Sequence, residues 1–188
     1  MGALIAASLT ADYPAKIVSV ISDKPDAKGL EHARGFGIDA LAIPRSDYPG
    51  KAEHEAAVIA AIHASGAKII ALAGYMRLLS GDFVNHFAGR MINIHPSLLP
   101  AFPGLATHER ALAAGCRVHG CTVHFVTEGM DEGPIIEQEA VRVSSDDTPE
   151  TLAARVLEAE HRIYPQALAM LARGDVRMSG DGQTRFGK

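Results

Sequence analysis

Short β-branched apolar runs recur along this chain, each separated from the next by a segment with helical spacing, and that alternation constrains the fold more than any other feature. Residues 16–22 (KIVSVIS), 39–44 (DALAIP), 68–73 (KIIALA) and 91–95 (MINIH) read as strands. KIIALA lacks polar alternation, as expected of a strand covered on both faces. Helical spacing predicts helices over 2–11, from about 30 to 35, 52–64 and 82–87. Beyond a proline-rich loop at 96–104, a helix is expected over 107–114 and strands over 118–126 and 134–143. The joint between those two strands is too long for a tight hairpin. The last helix opens at Asp147 or Thr148 and runs to about Ala172. Pro149 suits its first turn, Glu150 is placed for a capping box, and Pro165 is expected to kink or interrupt it. The pattern is α/β: a mostly parallel twisted sheet with helices on both faces and an antiparallel C-terminal part.

With 188 residues, 47% of them apolar, the chain can bury a core without staples and reads as one domain over 1–188. Residues 174–188 read as a short strand that frays into an irregular tail. The balance of 18 basic against 22 acidic residues leaves no broad footprint for nucleic acid or anionic lipid. The apolar start, MGALIAAS, has no basic region before it and is too short to span a bilayer. Cys116 and Cys121 form neither a disulfide framework nor a zinc set. A soluble cytoplasmic protein with reduced thiols is expected.

The most informative stretch is Asn93-Ile94-His95-Pro96-Ser97-Leu98-Leu99-Pro100. Asn93 and His95 stand two apart on a strand, so they leave one face at its carboxyl end, where open α/β sheets bind ligands. Chemistry that forms a tetrahedral oxyanion needs a neutral hydrogen-bond donor and a group that moves protons near neutrality. Spacing alone equally allows Asn93 to cap a turn and His95 to be a satisfied strand-end histidine. Asp131, in a glycine-flanked loop between two strands of the same sheet, is the acid best placed to orient the imidazole. Most such turn acids are merely solvated. His108, His119 and His124 share this third of the chain, but neither an HExxH helix nor a cysteine-rich set accompanies them, which points away from a metal. His32, His54, His63 and His86 read as surface or boundary residues on helices, and Ser97 lacks the glycines of a nucleophile elbow.

The segments Leu72 to Ser80 (LAGYMRLLS), Asn93 to Gly104, His119 to Val126 (HGCTVHFV) and Met130 to Ile136 (MDEGPII) resemble the glycinamide ribonucleotide formyltransferase family, and the likeness runs through nearly the whole chain. Pro103-Gly104 separates it from methionyl-tRNA formyltransferases, and Pro96 stands where deformylases usually carry a second histidine. The resemblance implies a single-domain, Rossmann-like formyltransferase fold. It implies transfer of a formyl group from 10-formyltetrahydrofolate, a co-substrate, to the amine of glycinamide ribonucleotide in purine synthesis, with no metal. Nucleic acid and membrane are not expected as partners, and the chain would be a monomer or homodimer. A deformylase-like relative using another acceptor, or an inactive folate-binding domain, remains an alternative.

By position, Asn93 would donate to the formyl oxygen, His95 would shuttle the proton, and Asp131 would hold His95 protonated and oriented. Met76, Arg77, Leu78 and Leu79 would line one side of the folate pocket, although alone the apolar three read as core packing. Thr127, Glu128, Gly129, Met130 and Asp131 would close its other side, with Lys51 a basic residue nearby. Glu160 would hold the ribose hydroxyls, with Leu157 one turn earlier bordering the nucleotide. Ala106 departs from the family, which often has a polar residue there. The family's first, central strand and its Gly-Ser-Asn phosphate loop have no counterpart in the chain. That predicts a gap between the strands at 16–22 and 68–73, poor folding of a chain beginning at Met1, and a native start upstream.

Overall fold

The computed structural model describes residues 1–187. The chain opens with α1 (Gly2–Ser8), which stops short of residue 11 because Ser8 Oγ donates to the Ile5 carbonyl and Thr10 Oγ1 to the Ala7 carbonyl. β1 (Ser19–Ser22), α2 (Lys28–Gly35) and β2 (Asp39–Ala42) form a βαβ unit whose strands pair in parallel. A 3₁₀ turn at Arg45–Asp47 leads into α3 (Lys51–Ala64). β3 (Ile70–Leu72), α4 (Gly81–His86) and β4 (Met91–His95) repeat the parallel arrangement. After α5 (Thr107–Ala113), β5 (Val118–Phe125) runs antiparallel to β4, and β6 (Ile135–Arg142) antiparallel to β5.

The chain is α/β as the alternation predicts, but the parallel share is smaller than expected. β1 and β2 form one sheet, and β3, β4, β5 and β6 another, with no ladder between β1 and β3. A central parallel body would need that ladder, and the expected gap lies where it is missing.

α6 (Pro149–Arg173) packs across the antiparallel part through Leu152, Val156, Ala159, Ile163, Tyr164, Ala167 and Leu168, against Ile92, Cys121, Val123 and Phe125. The last four have no exposed surface. The capping box is made by Thr151, not Glu150: with Thr148 as cap and Pro149 as first helical residue, Thr151 is the third and exchanges hydrogen bonds with Thr148. Pro165 does not interrupt the helix. Buried residues on both sides of it hold the turns together, and its carbonyl accepts from Tyr13 Oη at 2.7 Å. Gly174 ends α6 in the left-handed conformation, φ 77°. The tail does not fray at once: β7 (Val176–Met178) and β8 (Thr184–Phe186) form an antiparallel hairpin anchored by buried Val176.

A second core sits under α3 and α4, where Ile62, Phe83, Val84, Phe87 and Met91 meet. Tyr164 ties the layers, its hydroxyl donating to the Leu72 carbonyl at 2.6 Å and lying 3.2 Å from that of Ile92. His54, expected near the surface, is buried, with Nε2 2.9 Å from the Ile43 carbonyl. A buried imidazole needs such a partner. No helix among the described residues is long and apolar enough to cross a membrane.

Candidate active site

β4 presents Asn93 and His95 on one face, as their spacing requires. Antiparallel register then sets Asn93 opposite His124 and His95 opposite Thr122. His124 is buried, and burial holds its pKa below the ordinary histidine range. Its Nδ1 lies 2.8 Å from the Phe125 carbonyl, which accepts only, so the proton of the neutral ring sits on Nδ1. Nε2 is thereby an acceptor, and Asn93 Nδ2 reaches it at 3.4 Å. The second N–H of Asn93 is left for another acceptor.

His95 is buried, and each ring nitrogen faces an acceptor. Nε2 lies 3.1 Å from the Phe102 carbonyl, and Nδ1 is 3.4 Å from Asp131 Oδ2. The same Oδ2 accepts the Gly104 N–H at 2.8 Å, while Oδ1 stands 3.9 Å from His124 Nε2. Asp131 is in the left-handed region, φ 58°, which Asp tolerates better than most residues. Loop 127–133 therefore clasps loop 96–104 through one carboxylate. Gly133 permits the approach: a Cβ there would stand 1.7 Å from the Phe125 carbonyl oxygen.

Thr122 supports this arrangement from below. Its hydroxyl donates to the Ser97 carbonyl at 2.7 Å and accepts from the Leu99 N–H at 3.0 Å and Gln138 Nε2 at 2.9 Å. Thr107 Oγ1 donates to the Pro96 carbonyl at 2.7 Å. Behind them His108 and His119 meet edge to face at 5.2 Å, and burial pushes the His119 pKa down to about 4. Among the described residues, no three His, Cys, Asp or Glu side chains are grouped to hold a metal ion.

The structure thus brings Asn93, His95 and Asp131 together. Two of the apolar residues after β3 are not core, Met76 being 79% and Leu78 69% exposed, whereas Leu79 packs on the second core. Arg77 Nε pairs with Asp23 Oδ2 at 2.5 Å. Buried Glu55 accepts both the N–H and the hydroxyl of Ser80, fixing the end of this loop, and Lys51 Nζ lies 3.8 Å from that carboxylate. Across the site, Met130 is exposed, Thr127 and Gly129 are half-buried, and Glu128 accepts from Asn85 Nδ2 at 2.7 Å. On α6 Leu157 is exposed and Glu160 half-buried. Burial raises the Glu160 pKa, while the Met1 ammonium opposes the shift.

Sequence reasoning missed His124, Thr122 and Glu55 as parts of this site. Thr122 was legible only as strand interior and His124 only as one of the histidines of a disfavoured metal set, since the register that sets them against Asn93 and His95 is a pairing between distant segments. The only available signal for Glu55 was its place four residues after Lys51 on one helix.

An amide donor, an imidazole and a carboxylate grouped at the carboxyl end of a strand in an α/β fold are the groups that addition at a carbonyl carbon and transfer of its acyl group call for. The chain belongs to the formyltransferase family: the family described as "Formyl transferase" matches residues 1–168. It is 43% identical over 160 residues to phosphoribosylglycinamide formyltransferase of Bacillus subtilis, covering 85% of this chain and 82% of that protein. To the Escherichia coli enzyme of the same name it is 42% identical over 176 residues, covering 94% and 83%. It also matches trifunctional purine biosynthetic protein adenosine-3, with 47% identity to the chicken protein (Gallus gallus), but spans only 17% of that length. Among solved structures, glycinamide ribonucleotide transformylase 1 of Symbiobacterium toebii superposes with TM-score 0.93 at 46% identity, over 100% of this chain and 90% of that one. The Brucella melitensis phosphoribosylglycinamide formyltransferase gives TM-score 0.88 at 56% identity, over 92% and 88%.

Proposed function

We propose that this chain transfers the formyl group of 10-formyltetrahydrofolate to the amine of glycinamide ribonucleotide, a step of purine biosynthesis. The observation that carries the reading is the meeting of Asn93, His95 and Asp131 at the end of β4, in a fold shared with enzymes named for that reaction. The substrate amine adds to the formyl carbon, and the carbonyl electron pair moves to oxygen. The free N–H of Asn93 donates to that oxyanion, and His95 Nε2, once it turns from the Phe102 carbonyl, is the ring atom that meets the reacting groups. Collapse of the intermediate breaks the bond to the folate nitrogen. The attacking amine gives up one proton and the leaving nitrogen gains one, with His95 as the shuttle. Asp131 orients the ring through Nδ1.

The exposed side chains of Met76 and Leu78 face an apolar heterocycle better than they face water, which supports residues 76–79 and 127–131 as the folate-binding walls. Leu157 and Glu160 on α6 are the proposed nucleotide contacts, and Lys51 supports the folate side through Glu55 and Ser80.

The test is a spectrophotometric turnover assay with both substrates, beside a folate-binding titration. His95→Ala and Asp131→Asn are each expected to lower kcat by about 10²- to 10⁴-fold while changing folate affinity by only about threefold. Formate release from the folate alone at the full turnover rate would replace the acceptor amine with water, the reaction of the deformylase class to which a Burkholderia mallei structure with TM-score 0.81 belongs. Folate binding without turnover of any acceptor would leave a binding domain.

A further inference from the structure

α3 and α4 each carry a histidine in the last turn, His63 on the one and His86 on the other. Each stands beside a core residue: Ile62 precedes His63 and Phe87 follows His86, with Phe83 and Val84 in the same cluster. That packing fixes the two backbones. Both rings also lie against Phe87, His86 at 4.7 Å and His63 at 6.0 Å between ring centroids. The imidazoles meet edge to face, and their Nε2 atoms stand 2.7 Å apart. Both residues are exposed, so water would satisfy either ring equally well and the bond between them adds little. What the packing supplies is two imidazole nitrogens aimed at one point on the surface.

We propose that His63 and His86 form a binding site for copper(II), the two Nε2 atoms taking adjacent corners of its square and water the others. Metal–imidazole bonds are about 2.0 to 2.1 Å long, so two nitrogens at a right angle on one ion stand about 2.9 Å apart, and two at the tetrahedral angle about 3.3 Å. From the observed 2.7 Å the rings need to part by about 0.2 Å in the first case and about 0.6 Å in the second. Copper(II) and nickel(II) take the first geometry and zinc(II) the second, and of these ions copper(II) binds nitrogen most strongly. The proton of the ring that donates within the pair moves to its own Nδ1, so both Nε2 lone pairs reach the ion with no net loss of a proton. The carbonyls of the last turn of α3 carry partial negative charge, which favours a cation there. Arg90 donates to the His86 carbonyl at 2.9 Å and lies over the Phe87 ring, so its guanidinium is engaged away from the imidazole nitrogens. α3 leads into β3 and α4 into β4, which puts the pair at the amino ends of those strands. Asn93 and His95 sit toward the carboxyl end of β4, so the ion has no part in formyl transfer.

The test titrates copper(II) chloride into the full chain, with binding read by calorimetry and the first equivalent by electron paramagnetic resonance. Splitting from two imidazole nitrogens is expected, with nickel(II) binding more weakly than copper(II) and zinc(II) more weakly than nickel(II). His63→Gln and His86→Gln should each weaken copper affinity at least about tenfold, because a two-point grip becomes a one-point grip. The double variant should bind within about twofold of either single one, since the second loss has nothing left to remove. His32→Gln, which removes an exposed histidine on α2, should leave the affinity unchanged. Should a substitution unfold the chain, sub-stoichiometric copper on the parent protein reads the site without any variant, by broadening the amide resonances around 63 and 86 first. Splitting from a single nitrogen, an affinity that survives either substitution, additive losses in the double variant, or an equal loss in His32→Gln overturns the proposal. So does zinc(II) binding as tightly as nickel(II), or broadening that begins at His95 or Met1.

Discussion

Thr122→Val keeps the shape of a fully buried side chain and removes one oxygen. That oxygen accepts from the Leu99 N–H and from Gln138 Nε2, and donates to the Ser97 carbonyl. Gln138 keeps a second partner, the Leu99 carbonyl at 2.9 Å, so the loss falls on two backbone groups of the proline-rich loop. An unpaired buried polar group costs about 1 to 3 kcal/mol, so the substitution is expected to destabilise by about 2 to 6 kcal/mol. In a domain of this size 1 kcal/mol shifts the midpoint by about 2 to 4 °C, which predicts a fall of about 4 to 24 °C by circular dichroism. The same loop carries the Phe102 carbonyl and the Gly104 N–H that hold His95 and Asp131. Turnover measured well below the new midpoint should therefore fall at least about tenfold with folate affinity little changed, since a small misplacement of catalytic groups is costly. Thr122→Ser restores the oxygen and should recover most of both losses. A Thr122→Val protein within about 0.5 kcal/mol of the parent, the scatter of inert surface changes, would refute the claim that this hydroxyl holds the loop.

Stability should fall as pH drops from about 6.5 to 4, because the unfolded chain takes up a proton that neutral His119, held at about 4, refuses. At about 1.4 kcal/mol per pKa unit this one residue contributes up to about 3 kcal/mol, and urea melts of His119→Gln across that window should show a flatter slope; an unchanged slope would remove the assignment. Gly133→Ala should loosen loop 127–133, since its Cβ would collide with the Phe125 carbonyl, and cut turnover more than it lowers the midpoint, as read by kinetics beside melting. Glu55→Gln should weaken folate binding several-fold with kcat nearly constant, because it frees the Ser80 end of loop 74–80; a kcat effect without a binding effect would count against that placement.

The secondary structure was legible wherever neighbours along the chain carry the signal. Periodicity placed every helix and strand of the α/β body within a few residues, and the two-residue spacing of Asn93 and His95 put them on one face without any tertiary information. The capping box moved from Glu150 to Thr151 because the helix begins at Pro149, a boundary that turns on a single residue. Pro165 stayed inside α6 because burial on both sides outweighs the lost hydrogen bond.

Asp131 was a candidate by its loop and by the family resemblance, and in the residue chemistry alone nothing local distinguishes it from Glu132. The fold chose it, through the Gly104 N–H and the His95 ring. His124 and Thr122 entered the site by the register of β5 against β4, which depends on residues some thirty positions apart meeting in three dimensions. The exposure of Met76 and Leu78 reversed the reading that apolar residues after a buried strand join the core. Sequence alone thus determined the elements and the facing of side chains within them, because those follow from backbone geometry over a few residues. Which strands pair and which acid meets the imidazole were decided by tertiary structure, because desolvation and hydrogen-bond satisfaction are settled only between segments distant along the chain.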